Sequence, residues 1–288
     1  MPDPSTAVLL LSCPDQQGLV ASVSDFIYRH GGNIVHADQH TDREAGRFLQ
    51  RVEWELGSFD IPAPRIADEF RPLAERFGMD WKLVFSGRRP RVVLLVSKLP
   101  HCLYDLLARW RMGEIEADIP LVASNHDDAR AIAASFGVRF EHVPVAPGEE
   151  ARAAQETQLA ALCDEVAADL VVLARYMQIL SAGFIARFPS RIINIHHSFL
   201  PAFAGARPYH KAHERGVKII GATAHYATAD LDQGPIIDQD VVRVSHRDAV
   251  GDLVRKGRDL EKTVLARAVD LHLRNRVVVV GNKTVIFD

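Results

Sequence analysis

The chain is poor in cysteine: Cys13, Cys102 and Cys163 are the three in 288 residues. They are odd in number and widely spaced, with no CxxC pair and no Cys/His set, so neither a disulfide framework nor a structural zinc site is supported. An excess of positive charge is also lacking. The formal net charge is −3, so nucleic acid is not an expected partner, since binding it needs a face rich in Lys and Arg. The basic cluster Arg88, Arg89 and Arg91 falls where a linker is expected and reads as a solvated connector. No apolar run approaches the roughly 20 residues that a membrane helix needs. The opening Met1-Pro2-Asp3-Pro4 has neither the basic start nor the apolar core of a signal peptide. A cytoplasmic location with no membrane partner is therefore expected. Internal repeats and low-complexity segments are absent too. The rest is ordinary for a globular protein, 48% hydrophobic and 25% charged, at a length that suits two domains.

The rhythm of apolar residues changes once along the chain. Residues 7–12 form an apolar run of strand length, and Leu19, Val20, Val23, Phe26 and Ile27 then recur at helical spacing until His30-Gly31-Gly32. Two strand-like stretches, 33–41 and 47–56, flank the turn-prone 42–46. Ile66, Phe70, Leu73 and Phe77 mark a second helix, with Pro62 and Pro64 at its start, and 79–85 reads as a last strand. The order is βαββαβ, the ferredoxin-like pattern. Residues 86–90, Ser-Gly-Arg-Arg-Pro, break both helix and strand and make a linker.

After the linker, apolar strands alternate with helices. Strands are expected at 92–96, 119–123, 139–143, 170–173 and 191–195, with helices over about 103–110, 127–136 and 149–167. That alternation predicts a mainly parallel, Rossmann-like sheet covered on both faces. Residues 217–226 and 236–244 look like a strand pair, and 277–280 with 284–287 like a terminal hairpin around Gly281-Asn282. The fold class is α/β, with domains at 1–85 and 91–288.

Ligands of open parallel sheets bind at the carboxyl ends of strands, which directs attention to the residues after Leu173 and Ile195. Asn194 and His196 are two apart at a strand end, so their side chains share one side. Asp230 and Asp232 lie in a turn-rich loop between two apolar strands. Acyl transfer to water needs a group to deprotonate the water, donors for the oxyanion and a proton for the leaving nitrogen. An Asp, an Asn and a His meet those needs. Singly, each has a plainer reading: Asn194 as a turn former, His196 as a structural histidine, Asp232 as a hairpin nucleator. His225, on the strand leading to that loop, either orients the Asp232 carboxylate or is a plain core or surface histidine, and the plainer reading is preferred. His196, His197, His210 and His213 cluster in sequence, but their spacing fits no common zinc pattern. An exposed helix accounts for His210 and His213, and no metal is expected.

Asn194-Ile195-His196 with Ser198-Phe199-Leu200-Pro201, followed by 231–237, Leu-Asp-Gln-Gly-Pro-Ile-Ile, resembles the formyltransferase fold family. That family uses 10-formyltetrahydrofolate as formyl donor and includes glycinamide ribonucleotide transformylase and methionyl-tRNA formyltransferase. The resemblance covers about 90–240 and implies that Asn194, His196 and Asp232 are the catalytic trio. It also implies that Met177, Gln178, Ile179 and Leu180 face the folate on one side, and Thr228, Ala229, Asp230 and Leu231 on the other. One departure is informative. Ribonucleotide-binding members carry a Gly-rich loop after the first strand that holds the acceptor's phosphate, whereas 96–103 here, Val-Ser-Lys-Leu-Pro-His-Cys-Leu, has no glycine, and Pro100 removes one backbone donor.

Without that cradle, water becomes the expected acceptor. The products would be formate and tetrahydrofolate, supplying formate for purine synthesis and balancing one-carbon pools, with folate as substrate and no cofactor. The stretch 196–203 with 205–210 is what the deformylase branch of the family leads one to expect. Cys13-Pro14-Asp15-Gln16-Gln17-Gly18-Leu19 followed by Gly32-Asn33-Ile34 resembles an ACT domain, a βαββαβ module that binds amino acids at paired interfaces. Asp15, Gly18 and Asn33 would then hold an amino-acid effector, and a homo-oligomer, dimer or tetramer, is implied. A domain that only mediates assembly is an equal alternative. A transformylase with another small amine acceptor would share every folate residue.

Overall fold

The computed structural model describes residues 5–202 and 208–287. Residues 1–4 and 203–207, where part of the signal-peptide reading and of the branch-specific motif fall, lie outside the described residues.

Two compact units divide the chain: Met1–Arg88 with Arg274–Val280 and Val285–Asp288, and Arg89–Leu273 with Gly281–Thr284. In the first, β1 (Thr6–Pro14) is buried along almost its whole length. Gly18, at φ 88, turns the chain into α1 (Leu19–Arg29), which buries Leu19, Val23 and Ile27 at four-residue spacing. β2 (Asn33–Asp42), β3 (Arg47–Glu55), α2 (Ala63–Phe77) and β4 (Asp80–Phe85) follow. The strands order as β2-β3-β1-β4, and the β1–β3, β1–β4 and β2–β3 pairings are antiparallel. Alternation along β1 splits its apolar residues between two cores. Leu9 and Leu11 join Trp54, Ile66 and Phe70, while Leu10 joins Leu49 and Phe287.

The second unit runs β5 (Arg91–Val96), α3 (His101–Met112), β6 (Asp118–Ser124), a 3-10 turn leading into α4 (Arg130–Ser135), β7 (Arg139–His142), α5 (Glu149–Glu165), β8 (Leu170–Leu173), α6 (Ala182–Ala186), β9 (Ile192–His196), α7 (Pro208–Arg215), β10 (Ile219–Tyr226), β11 (Ile236–Arg243) and α8 (Val250–Leu273). Its seven strands order as β11-β10-β9-β8-β5-β6-β7. Those from β9 to β7 are parallel, and β10 runs antiparallel to both β9 and β11. The fold is thus α/β in both units, as the periodicity implied. The parallel strands read as continuous apolar runs because the sheet buries both of their faces. The chain reverses its direction across the sheet between β5 and β8, the kind of place where such sheets bind ligands.

Two features differ from the sequence expectation. The hairpin β12 (Val277–Val280) and β13 (Lys283–Ile286) was grouped with 91–288, yet 274–280 and 285–288 cluster with the first unit. There, Val278, Val280 and Val285 pack on Leu10, Leu49 and Phe287. The longest helix, α8, was not anticipated. Its buried positions include Gly257 and Glu261, and a glycine and a charge on the inner face blur the amphipathic pattern. Among the described residues no helix is long and apolar enough to cross a membrane.

Candidate active site

β9 and β10 are antiparallel neighbours, and their register sets His225 opposite Asn194 and Thr223 opposite His196. β10 bulges against β11 between Ala224 and His225, a device that re-aims side chains. The loop from β10 to β11 then folds back hard. Gly234 lies so close to the Tyr226 carbonyl oxygen that a Cβ would sit 1.7 Å from it, so only glycine fits there. Asp232 adopts φ 57, in the left-handed region, which L-residues enter at a cost and aspartate enters more readily than most. The result is to bring the Asp232 carboxylate back onto β9 and β10.

Asp232 Oδ1 lies 3.1 Å from His196 Nδ1 and 3.8 Å from His225 Nε2. The hydrogen bond from His196 holds the Asp232 carboxyl below its usual range, against the opposing effect of burial. The carboxylate is therefore ionised and accepts, and Nδ1 of His196 donates. Nε2 of His196 is buried with no hydrogen-bond partner among the described residues. His225 Nδ1 lies 2.9 Å from the Tyr226 carbonyl oxygen, and because a carbonyl only accepts, Nδ1 carries the proton. Burial pushes the His225 pKa down. The neutral ring therefore accepts at Nε2 from the Asn194 amide, 3.1 Å away, and fixes that amide's orientation. The structure thus sets His225 on the Asn194 amide rather than on the Asp232 carboxylate that the sequence reading had offered it. Its partner lies across a strand pairing that a linear sequence does not display.

These groups stand at the edge of a cleft of about 400 Å³. Met177, Gln178, Ile179 and Leu180 line it, as do Thr228, Ala229 and Leu231. Asp230 does not. Its backbone carbonyl accepts from the Thr228 hydroxyl, which shapes the turn. Met177, Ile179 and Leu231 are 55%, 73% and 59% exposed, apolar lips of the kind that mark a ligand groove. Arg175, Tyr176 and His197 also line the cleft. Arg175 is itself left-handed, at φ 64. The loop after β5 supports this wall: Ser97 N–H donates to the Arg175 carbonyl, and its hydroxyl accepts from Met177 N–H at 3.0 Å. Those two groups of the loop are thereby engaged with the 175–177 segment.

In the first unit, Asp15 and Gly18 lie exposed in the turn between β1 and α1, and Asn33 is exposed at the start of β2. The Asn33 amide donates to Glu55 at 2.8 Å, a partner the sequence reading did not name. In α7, His210 and His213 are exposed.

Comparison with known proteins adds a family to this geometry. Residues 90–269 match the family model described as formyl transferase, and 7–71 that described as ACT domain. Over 282 residues the chain is 59% identical to the formyltetrahydrofolate deformylase of Synechocystis sp., with 98% of each chain covered. The crystal structure of a formyltetrahydrofolate deformylase from Pseudomonas syringae pv. tomato superposes with a TM-score of 0.96 at 47% identity, covering 100% of this chain and 96% of that one. A glycinamide ribonucleotide transformylase from Symbiobacterium toebii matches with a TM-score of 0.66 at 34% identity, over 72% of this chain and 98% of its own.

Proposed function

The chain belongs to the formyltetrahydrofolate deformylase family, and from that premise we propose how its own residues hydrolyse 10-formyltetrahydrofolate to formate and tetrahydrofolate. The observation that carries the reading is the Asp232 carboxylate held 3.1 Å from His196 Nδ1 at the end of the 400 Å³ cleft, with Asn194 oriented beside it by His225.

The folate lies between 177–180 and 228–231, its ring system against the apolar lips. A water in the cleft is oriented by Asp232, which accepts its proton as the oxygen attacks the formyl carbon. Negative charge develops on the formyl oxygen. The free N–H of the Asn194 amide and a proton on His196 Nε2 stabilise it, and both are preorganised by neighbours rather than by solvent. As the tetrahedral intermediate collapses, the C–N10 bond breaks and N10 takes a proton from His196 or, through a second water held by Asp232, the proton that Asp232 accepted. No atom changes oxidation state, so the reaction invokes no redox cofactor, and folate enters as substrate.

The same reading assigns regulation to the N-terminal unit, with residues 1–85 as its core and 86–90 as the connector to the catalytic residues. Asp15, Gly18 and Asn33 hold an amino-acid effector through exposed backbone and side-chain groups. The protein works in the cytoplasm as an even-numbered homo-oligomer, since modules of this kind pair.

The test is incubation with 10-formyltetrahydrofolate alone, assaying formate and tetrahydrofolate. Equimolar release with no amine present is the expected result, and formate that appears only with an added acceptor overturns it. Asp232→Asn should slow release on the order of a thousandfold, and near wild-type release by the folded variant removes Asp232 from the chemistry.

A further inference from the structure

A second polar cluster lies behind the catalytic groups. Its centre is Glu261 of α8, only 1% exposed. Oε1 accepts from the Tyr209 hydroxyl at 2.6 Å, Oε2 accepts from His101 Nε2 at 2.7 Å, and Arg175 Nε lies 3.4 Å from Oε2. Burial pushes the Glu261 carboxyl up, but the His101 bond and the Arg175 charge outweigh it and keep it ionised. His101, Cys102 and Glu261 also fall within metal-ligand distance of one another. The guanidinium on the same carboxylate oxygen makes this a closed ion-pair network rather than a cation site.

The network leads to the catalytic trio through two rings. Tyr209 rests on α8 at Gly257, where a Cβ would meet the ring at 2.1 Å. Its ring meets that of His197 edge-on with centroids 6.1 Å apart, and the His197 ring lies 5.2 Å from that of His196. His197 lines the folate cleft and also a smaller cavity of about 150 Å³, together with Ser198, Phe199, Tyr209 and Ile220. Among the described residues it is the one that both linings share.

We infer that His197, braced by Tyr209 and Glu261, is a specificity-determining residue that reserves the formyl carbon for water by closing the catalytic trio off from the cavity behind it. The inference rests on the catalytic reading above. Folate occupies the cleft, so a nucleophile larger than water needs room on the opposite side of the trio. At a share of roughly 30 Å³ per water, the rear cavity has room for a small amine but not for a nucleotide. A water of the open cleft needs no such room. The brace is stiff because a carboxylate buried with three partners loses much if one is withdrawn, and a ring seated on a glycine has no side chain to push it away.

The test uses hydroxylamine as the probe amine. Its nitrogen attacks the formyl carbon, the C–N10 bond breaks, and N10 takes the proton that the amine loses, giving formohydroxamic acid and tetrahydrofolate. Formate reports the water path in the same tube. Relative to wild type, the hydroxamate-to-formate ratio should rise at least about tenfold in His197→Ala. It should rise in the same direction in Tyr209→Leu, which leaves His197 present but unbraced. Tyr209→Phe keeps the ring on Gly257 but withdraws its hydroxyl from Glu261, so its ratio should rise less than in Tyr209→Leu. An unchanged ratio in whichever of the first two variants folds overturns the inference, as does a rise that persists when Asp232→Asn is added, since that transfer is uncatalysed. If Asp232→Asn alone leaves formate release intact, the catalytic reading has failed first. If it abolishes release while the ratio does not move, only this inference fails.

Discussion

The turn after β1 and the loop after β10 both follow a buried strand and both present an aspartate, yet they commit their polar groups very differently. Asp15 and Gly18 are exposed, and Asn33, at the opposite end of the sheet by the strand register, spends its amide on an equally exposed Glu55. Asp232 sits in left-handed backbone, bonded to a histidine that is 5% exposed, beside another that is 2% exposed. Charges shielded from water act on one another far more strongly than charges at the surface, and groups already oriented pay no reorganisation cost when charge develops. The second loop is therefore built to stabilise a transient charge. The first leaves its groups solvated, which suits a small ligand that binds and leaves without bond making.

Three experiments bear on that contrast. The largest expected effect is from Asn194→Ala, which removes an oriented donor. Turnover should fall on the order of a hundredfold or more, with the loss in kcat rather than in the folate KM. A loss confined to KM breaks the contrast, because Asn194 would then act in folate binding and not on developing charge.

Next is the acid limb of stability. Burial, aided by the Arg175 charge, pushes His197 from 6.5 down to about 4, with Glu261 and Asp232 opposing and His196 reinforcing. Between those values the unfolded chain binds a proton that the folded chain does not, so stability falls as pH drops from about 6.5 to about 4. The full effect is about 3 kcal/mol at most. His225, also lowered by burial, acts in the same direction. The lowered Asp232 loses its contribution only below the ordinary carboxylate range, outside this window. His197→Gln should flatten part of the dependence of Tm on pH there, and a Tm profile unchanged by the substitution shows that the ring is not held in a dry site.

The smallest effect is expected in the first unit. Asp15→Ala and Asn33→Ala, assayed without any amino acid present, should leave turnover within about twofold of wild type, as exposed substitutions usually do little. A loss comparable to that of Asn194→Ala would erase the distinction between the two loops.

Much of this molecule was legible in its linear pattern. All thirteen strands of the described residues were expected within a few residues of where they lie, because apolar runs and turn residues report burial directly. Asn194 and His196 were recognised as sharing a side because a strand alternates. Glu261 and α8 were not legible, since a charge on a helix reads as solvent-facing until three partners from other elements surround it. Asp230 is not in the cleft lining that its neighbours form, because in a tight turn adjacent residues point different ways. His225 needed the strand register.

By itself, the order of residues determined which segments are strands, most of the helices other than α8, the α/β class, and the kinds of side chain available at strand ends, since these follow from local periodicity and from the chemistry of each residue. Only the tertiary structure decided which of those side chains meet. The pairing of β9 with β10 set His225 on Asn194, the contact at Gly234 folded Asp232 onto His196, and α8 placed Glu261 behind His197. Each of those meetings joins residues about thirty or more apart, and distance along a chain carries no information about distance in space until the core has packed.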